Sequence, residues 1–265
     1  KPMSQFSDFP MPAHYPDYPS HQQILAYFQA YAKQFQLEQY IQFNTTVLHA
    51  EKTWNDRWRL SLGTGMQQEF DILLVASGHL TVPRHPEWKD RFSGLYLHAH
   101  DFKTDETIRN QRVLVIGAGN SGCDCAVEIS RVASFVAIST RGPQYIVPKF
   151  FMGKPTDTFN DQMLWVPKPI AAFLCQLSLR IQVGKYSDYG LPDPDFPVLK
   201  AHPTVNSELL YKIRHGKVHP RKGILKIEGH KVFFADGVEE EYDTIIAATG
   251  YKISTPFFAP DFINY

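Results

Sequence analysis

The chain has 265 residues, of which 43% are hydrophobic and 20% charged, a composition typical of a globular protein with one large or two ordinary domains. Its 27 basic and 27 acidic side chains cancel, which argues against a nucleic-acid-binding or anionic-membrane-binding surface. Cys123, Cys125 and Cys175 are expected to be reduced thiols, and this favours a cytoplasmic location. The apolar stretch 164–179 is too short for a membrane-spanning helix.

The first part of the chain predicts a helix followed by strands. Residues 1–19 are rich in proline and aromatic residues and are expected to form an extended loop. Ser20 is suited to cap a helix over Gln22–Phe35, whose apolar residues repeat at helical spacing. A linker containing prolines is expected between Pro83 and Arg112. The alternation of apolar and polar residues predicts a strand over Ile41–Val47, and further strands are expected over Arg57–Leu62 and Gln68–Val75.

Residues 112–124 contain the most informative pattern in the chain. Val113–Ile116 form a continuous apolar run, as in a buried parallel strand. Gly117, Gly119 and Gly122 follow at the G-x-G-x-x-G spacing, and apolar residues at helical spacing come next. A strand, a glycine turn and a helix in this order predict a dinucleotide-binding site, whose pyrophosphate faces the free N–H groups of the helix. The alternative is an ordinary glycine-rich turn.

The next predicted strand, Ser134–Ile138, indicates which dinucleotide is bound. An NAD site usually has Asp or Glu at the end of this strand, about 20 residues beyond the glycines, to bind the ribose 2′-hydroxyl. Here Ser139, Thr140 and Arg141 follow, without a carboxylate. Because a guanidinium and hydroxyls can bind a 2′-phosphate that a carboxylate would repel, the sequence favours NADPH over NADH. The alternative is that Arg141 is a solvated loop residue.

The rest of the chain predicts mixed structure. Between Pro143 and His219 it is irregular, with a helix near Ile170–Ile181. The patterns of residues 71–78 and 243–250 each predict a strand that ends in a small hydroxyl residue and Gly. This arrangement lets a nucleotide lie against the backbone. Hairpin and strand patterns predict strands over Ile224–Glu228, Lys231–Phe234 and Tyr242–Ala248.

Four ordered motifs make the chain resemble the flavin-containing monooxygenases. The F-x-G-x-x-x-H-x-x-x-Y/F marker of that family stands here as Phe92, Gly94, His98 and Phe102. The marker precedes the glycine turn, as it does in the family. The opening Phe-Ser-Asp-Phe-Pro-Met-Pro and the late Ala-Thr-Gly-Tyr also match. A well-packed interdomain linker is the structural alternative for the marker, and we expect His98 to position that linker near the cofactor rather than to exchange protons.

The resemblance implies an α/β fold with two interleaved three-layer, Rossmann-like dinucleotide-binding domains. An FAD-binding domain would comprise residues 1–108, give way to an NADPH-binding domain at 109–238, and resume at 239–265. The implied cofactors are FAD and NADPH. The implied cofactor-binding residues are Gly117, Gly119, Asn120, Ser121 and Gly122 for the NADPH pyrophosphate, Thr140 and Arg141 for the 2′-phosphate, Val47 for the FAD adenine, and Ser77, Gly78, Thr249 and Gly250 along the two nucleotides.

The resemblance also implies an activity. In the family, hydride passes from NADPH to FAD, O₂ adds to the flavin, and the flavin hydroperoxide oxygenates a soft nitrogen or sulfur centre of a small molecule. Because the flavin performs this chemistry, few protein acids or bases are needed, and no catalytic residue is assigned. The histidines show no metal-ligand spacing, so no metal site is expected.

The chain departs from the family pattern at both ends. Family members begin with a further strand and an FAD glycine loop, which this chain lacks before Lys1, and they continue beyond Tyr265. We therefore expect a fragment that is inactive alone as an oxygenase. Two other functions stay open: a Baeyer–Villiger enzyme acting on ketones, against which Phe102 argues, and a non-catalytic NADPH-binding module. No nucleic-acid partner is expected, and homo-oligomerisation is left open.

Overall fold

The computed structural model describes residues 2–158, 165–198, 200 and 203–262. It contains two compact units, one formed by Lys1–Val82 together with Tyr251–Tyr265 and the other by Pro83–Gly250. The first unit is thus interrupted in sequence by the second, in agreement with the predicted interleaved fold. In the part of the chain that is described, no helix is both long and apolar enough to cross a bilayer.

The boundaries of the compact units differ from the domain limits expected from sequence. The predicted limits fall at 108/109 and 238/239, whereas the units change at 82/83 and 250/251. The physical reason is strand pairing. Leu95–His98 and Thr244–Ala247 pair with each other, and the latter also pairs with Arg112–Ile116 of the Pro83–Gly250 unit. The region predicted as a linker therefore contributes a strand to the sheet of the second unit.

The helices agree with the sequence pattern where they are amphipathic. Ser20 accepts a hydrogen bond from the backbone N–H of Gln23 at 3.3 Å, and the Gln23 side chain accepts one from the N–H of Ser20, so a capping box starts the first helix as expected. The α-helices are α1 (His21–Gln34), α2 (Asn120–Ile129), α3 (Lys168–Gln182) and α4 (Leu209–Arg214). The 3₁₀ helices are Pro2–Ser4, Leu37–Tyr40, Lys89–Arg91, Glu106–Ile108 and Tyr186–Tyr189.

The strands are mostly short and fall into one large sheet and several small ones. They are β1 (Val47–Lys52), β2 (Trp58–Leu62), β3 (Gln67–Phe70), β4 (Val82–Pro83), β5 (Leu95–His98), β6 (Arg112–Ile116), β7 (Phe135–Ser139), β8 (Ile146–Val147), β9 (Phe150–Phe151), β10 (Lys154–Pro155), β11 (Thr204–Val205), β12 (His219–Arg221), β13 (Ile224–Glu228), β14 (Lys231–Phe234), β15 (Glu239–Glu241), β16 (Thr244–Ala247) and β17 (Tyr251–Lys252).

The Pro83–Gly250 unit has three layers around a parallel sheet of order β12-β7-β6-β16-β5. Helix α2 connects β6 to β7 and packs on one face with Val113, Val115 and Ile246. The antiparallel sheet β13-β14-β15 packs on the other face, against Leu114 and Ile245. Because both faces are covered, the central strands read as continuous apolar runs. The predicted three-layer, Rossmann-like α/β architecture is confirmed for this unit.

The other unit contains the antiparallel sheet β1-β2-β3 and helix α1. Its small core joins Ala50, Leu60, Leu62 and Phe258. The amide of Ala50 donates to the carbonyl of Phe257 at 2.7 Å, so the last part of the chain packs on this sheet.

Two strand predictions in this unit were wrong. Residues 41–46 are not in a strand and contain a turn at 43–44, and the strand begins only at Val47. The strand predicted over Gln68–Val75 ends at Phe70, and residues 71–78 are not in a strand. Ile72 and Leu74 are exposed, and within the described residues no neighbouring strand pairs with this apolar run. An apolar run without a partner for its backbone groups does not form a strand.

Candidate functional site

The turn between β6 and α2 meets three different steric demands with its three glycines. Gly117 has φ +101°, and a Cβ there would lie 2.5 Å from the carbonyl oxygen of Ala248. A Cβ on Gly122 would lie 1.9 Å from the carbonyl oxygen of Gly117, so the helix packs directly on the turn. A Cβ on Gly119 would meet no atom within 4 Å, so open space lies above its backbone. These are the features that a pyrophosphate cradle requires.

The start of α2 is held from the side by a segment distant in sequence. The Asn120 side-chain oxygen accepts a hydrogen bond from the backbone N–H of Val205 at 2.8 Å. The Thr204 hydroxyl donates to the carbonyl of Ala118 at 3.0 Å and accepts a hydrogen bond from Gln144. Asn120 therefore supports the turn through its carbonyl oxygen, whereas Ser121 is exposed beside it. Sequence reasoning missed Thr204 and Gln144 because their contacts lie far apart in the chain.

The end of β7 carries the predicted 2′-phosphate residues. Ser139 is buried, and its hydroxyl donates to the carbonyl of Lys222 at 2.8 Å. The Thr140 hydroxyl donates to the carbonyl of Gly142 at 2.8 Å and so stabilises the loop. Because its proton is used in this bond, the hydroxyl has only its oxygen lone pairs left for other hydrogen bonds. Arg141 is exposed, and its guanidinium forms no hydrogen bond or ion pair with any residue that the structure describes. Arg141 is therefore the available donor at this strand end.

A cleft of about 480 Å³ brings the glycine turn and the end of β7 together. It is lined by Gly117 and Gly119 on one side and by Thr140 and Arg141 on another. None of its described lining residues is a carboxylate, so its charged groups favour an anion. The lining also contains residues that the sequence did not single out as cofactor-binding: Arg84, His85, Pro86 and Trp88 in the predicted linker, Gln144 in a loop, and Ile224 at the start of β13.

The marker residues form the outer strand of the sheet and its anchorage. A Cβ on Gly94 would lie 2.4 Å from the carbonyl oxygen of Asp243 and 2.7 Å from the Phe92 ring, which explains why Gly is needed there. Phe92 is buried among the residues beneath the antiparallel sheet, and Phe102 packs against the core around α2. In this chain the marker residues therefore flank and end β5, an outer strand of the Pro83–Gly250 unit.

His98 ends this strand in a buried position. Its Nδ1 accepts the backbone N–H of His100 at 3.1 Å, so the proton lies on Nε2, which donates to the carbonyl of Gly250 at 3.2 Å. Burial lowers the pKa of His98, although the bond to Gly250 acts in the opposite direction. The imidazole is thus neutral at pH 7 and holds a backbone carbonyl in place. His98 thereby fixes the position of Gly250, and its expected position near the cofactor stays a prediction.

Thr249 and Gly250 follow β16 at the edge of the cleft. The Thr249 hydroxyl donates to the carbonyl of Arg84, and the N–H of Arg84 donates to the carbonyl of Gly250 at 2.9 Å. Gly250 has φ +80°, a backbone conformation that residues other than Gly rarely adopt. Thr249 lines the cleft, and Gly250 contributes through its backbone.

The residues expected near FAD lie in the other unit. Val47 and Ser77 line the same cavity, which has a volume of about 290 Å³ and otherwise mainly aliphatic walls. Gly78 follows with φ +75°. The structure thus brings Val47 and Ser77 together, as a nucleotide-binding role for both requires. Among the described residues, no group of three or more His, Cys, Asp or Glu side chains is placed to hold a metal ion.

Comparisons with known proteins agree on one family. A family model described as flavin-binding monooxygenase-like matches residues 1–264. Dimethylaniline monooxygenase 2 (N-oxide-forming) of Macaca mulatta is 33% identical over 283 residues, covering 100% of this chain and 52% of the relative. The chain therefore spans about half the length of the curated relatives that it matches.

Solved structures share the fold. A flavin-containing monooxygenase from Stenotrophomonas maltophilia has a TM-score of 0.69 at 19% identity, covering 95% of this chain and 63% of that one. An oxidised steroid monooxygenase bound to NADP also has a TM-score of 0.69 at 19% identity, with 90% and 58% covered. The sequence match covers nearly the whole chain and is stronger evidence of kinship than the similarity of fold. It shows that the chain belongs to the flavin-binding monooxygenase-like family.

Proposed function

We propose that the chain binds NADPH in the cleft of the Pro83–Gly250 unit. The observation that carries this proposal is the combination, in one cleft, of open space above Gly119 and the Arg141 guanidinium, which has no hydrogen-bond or ion-pair partner among the described residues. A pyrophosphate would lie on the backbone at the start of α2, and the ribose 2′-phosphate beside Arg141. The lack of a carboxylate among the described lining residues supports NADPH over NADH.

We further infer that the protein is an NADPH- and FAD-dependent monooxygenase that oxygenates soft nitrogen or sulfur centres of small molecules. The name of the Macaca mulatta relative specifies N-oxide formation, which supports nitrogen as one target. The unit formed by residues 1–82 and 251–265 would contribute Val47, Ser77 and Gly78 to FAD binding. FAD, when bound, supplies the reaction with O₂, whereas this chain's residues bind and orient both cofactors.

Substitution of Arg141 by Ala tests the cofactor assignment. NADPH binding should weaken by about 1.5–3 kcal/mol, the range for a hydrogen bond to a charged group, and NADH binding should change little. Isothermal titration calorimetry with both cofactors measures the difference. Equal losses for NADPH and NADH would show that Arg141 does not bind the 2′-phosphate.

Substitution of Gly119 by Ala is the matched second variant. Its Cβ would enter the open space above the turn without touching protein atoms, so folding should be unaffected. NADPH and NADH should both bind more weakly, because both contain the pyrophosphate that the methyl group would obstruct. Undiminished binding of both cofactors would exclude the glycine turn as the pyrophosphate site.

Product analysis tests the proposed oxygenation. The full-length protein, supplied with NADPH, FAD and O₂, is expected to oxygenate an amine or a sulfide. Conversion of a ketone to an ester, with the amine and the sulfide left unchanged, would indicate a Baeyer–Villiger enzyme instead.

A further inference from the structure

The peptide bond between Ala118 and Gly119 lies in the middle of the glycine turn, and both residues line the cleft. Its carbonyl oxygen accepts two hydrogen bonds, one from the Thr204 hydroxyl at 3.0 Å and one from the Cys123 thiol at 3.3 Å. Its N–H group has no acceptor among the described residues. Because a trans peptide is planar, its C=O and N–H groups point in opposite directions. The N–H of Gly119 is therefore directed away from the two donors and is left for a ligand.

The two donors to the Ala118 carbonyl differ in strength. Burial raises the pKa of the Cys123 thiol to about 12, so the thiol keeps its proton at pH 7, but a thiol is a weak donor. The Thr204 hydroxyl is buried with 1% exposure and accepts a hydrogen bond from the Gln144 amide. Because Gln144 occupies a lone pair of this hydroxyl, the hydroxyl proton is directed to the Ala118 carbonyl. Thr204 is thus the main group that fixes the orientation of this peptide.

The segment that carries Thr204 is itself held against the start of α2. Strand β11 pairs in parallel with β8, which fixes its backbone. The N–H of Val205 donates to the side-chain oxygen of Asn120 at 2.8 Å. The side-chain amide of Asn206 donates to the carboxylate of Asp124, one turn further along the helix, at 2.8 Å. Three consecutive residues thus contact the turn and the first turns of α2, so the Thr204 hydroxyl has a defined position.

We propose that Thr204 is a positioning residue for the pyrophosphate of the dinucleotide. Its hydroxyl holds the Ala118–Gly119 peptide in the orientation that presents the N–H of Gly119 to the ligand. If this peptide rotated, it would present the Ala118 carbonyl oxygen instead, and the partial negative charge of that oxygen would repel a phosphate. Because glycine has wide backbone freedom, Gly119 resists such a rotation little, and the hydrogen bond from Thr204 opposes it. This inference rests on the proposed binding of NADPH in the cleft.

The test measures the dissociation constants of three ligands of the full-length protein by isothermal titration calorimetry. NADP⁺ and NAD⁺ both contain the pyrophosphate, whereas adenosine 2′-monophosphate lacks it. Thr204→Val, which keeps the shape of the side chain but removes the hydroxyl, should weaken both dinucleotides about five- to tenfold and leave adenosine 2′-monophosphate within about twofold. Thr204→Ser keeps the hydroxyl and should retain most of the affinity. Cys123→Ala removes the weaker donor and should weaken both dinucleotides about two- to threefold.

Thr244→Val is the matched control. Thr244 is also fully buried in the Pro83–Gly250 unit, and its hydroxyl donates to the side-chain oxygen of Gln111. It begins β16, opposite Val113, so it lies at the other end of the parallel sheet from the glycine turn. Thr244→Val therefore removes a comparable buried hydrogen bond and should leave the affinity for all three ligands unchanged. Thermal unfolding compares the loss of stability in Thr204→Val and Thr244→Val.

The outcomes separate this inference from the proposed function. If Gly119→Ala weakens both dinucleotides but neither Thr204→Val nor Cys123→Ala does, the role of Thr204 is refuted and the proposed NADPH site stands. If Thr204→Val weakens adenosine 2′-monophosphate as much as the dinucleotides, or if Thr244→Val has the same effect as Thr204→Val, the loss reflects general destabilisation and the inference fails. If the unaltered protein binds neither NADP⁺ nor adenosine 2′-monophosphate, the proposed function itself fails.

Discussion

Each compact unit contains apolar runs of similar composition, but these runs differ in burial between the units. In the Pro83–Gly250 unit, the runs Val113–Val115 and Ile245–Ala247 are completely buried, with 0% exposure at each residue. In the unit formed by residues 1–82 and 251–265, the equally apolar run 72–75 includes Ile72 at 76% exposure and Leu74 at 85%. The three runs are similar in composition and length, yet only the two in the Pro83–Gly250 unit form strands.

The difference shows what an apolar run needs in order to become a strand. Strands β6 and β16 each have hydrogen-bonded neighbours on both sides, and packed layers cover both faces of their sheet. The run 72–75 has no neighbouring strand among the described residues. Hydrophobicity favours burial, but the ladder of backbone hydrogen bonds and the covering layers come from elsewhere in the chain.

The largest expected effect is at the glycine turn. Gly122→Ala should destabilise the Pro83–Gly250 unit by about 4 kcal/mol or more, because its Cβ would collide with the backbone oxygen of Gly117. Gly63→Ala, in the other unit, should change stability by less than about 0.5 kcal/mol, because its Cβ would lie 3.6 Å from Thr46, an ordinary contact. Native-state hydrogen exchange of the amides in β6 and β2 measures each unit separately. Similar effects at both glycines would undermine the described packing of the turn.

Core truncation sharpens the contrast between the two apolar runs. Ile246→Ala removes a fully buried side chain and should cost about 3 kcal/mol, from lost burial and the resulting cavity. Leu74→Ala removes an exposed side chain and should change stability by less than about 0.5 kcal/mol. The same exchange experiment compares the two variants. A cost of more than about 2 kcal/mol for Leu74→Ala would show that the run 72–75 is buried in solution.

Ion pairs give a smaller contrast. The Arg221–Glu240 pair is mostly buried, with side-chain exposures of 19% and 18%, whereas those of Arg59–Glu69 in the other unit are 37% and 38%. Glu240→Gln should cost about 2 kcal/mol at pH 7, because a partly buried guanidinium loses its anion. Glu69→Gln should cost less than about 1 kcal/mol. Denaturant titrations at pH 7 compare the two variants, and equal costs would contradict the difference in burial.

The Glu240 pair also predicts a pH dependence. Burial acts to raise the pKa of Glu240, but hydrogen bonds from Arg221 and Tyr242 hold it below its ordinary value of 4.5. Because the folded-state pKa is depressed, the stabilisation is complete above pH 4.5 and is lost as the pH falls through the lower folded-state pKa. The stability gap between the unaltered protein and Glu240→Gln should therefore shrink below pH 4.5. A gap that stays constant from pH 7 to about pH 3 would contradict this assignment.

Sequence reasoning succeeded where local pattern and burial agree. The predicted strand Val113–Ile116 differs from β6 by one residue at its start, and Ser134–Ile138 is shifted from β7 by one residue at each end. The agreement is this close because a strand covered on both faces must be continuously apolar. The hairpin strands Ile224–Glu228 and Lys231–Phe234 match the prediction, since Gly229-His230 is a strong turn signal.

Sequence reasoning failed where structure depends on distant partners. Leu95–His98 was interpreted as linker because a four-residue edge strand has too little pattern of its own, and only pairing with β16 defines it. The support of the glycine turn by Thr204 joins residues 86 positions apart, and the Arg221–Lys222 segment reaches β7 across some 80 positions. No local spacing encodes such contacts.

The most direct test of the account is a crystal structure of the protein with NADP⁺. The pyrophosphate oxygens are expected about 3 Å from the backbone nitrogens at the start of α2, with the 2′-phosphate beside Arg141. An ordered nucleotide bound elsewhere, or a cleft filled by protein side chains at saturating NADP⁺, would contradict it.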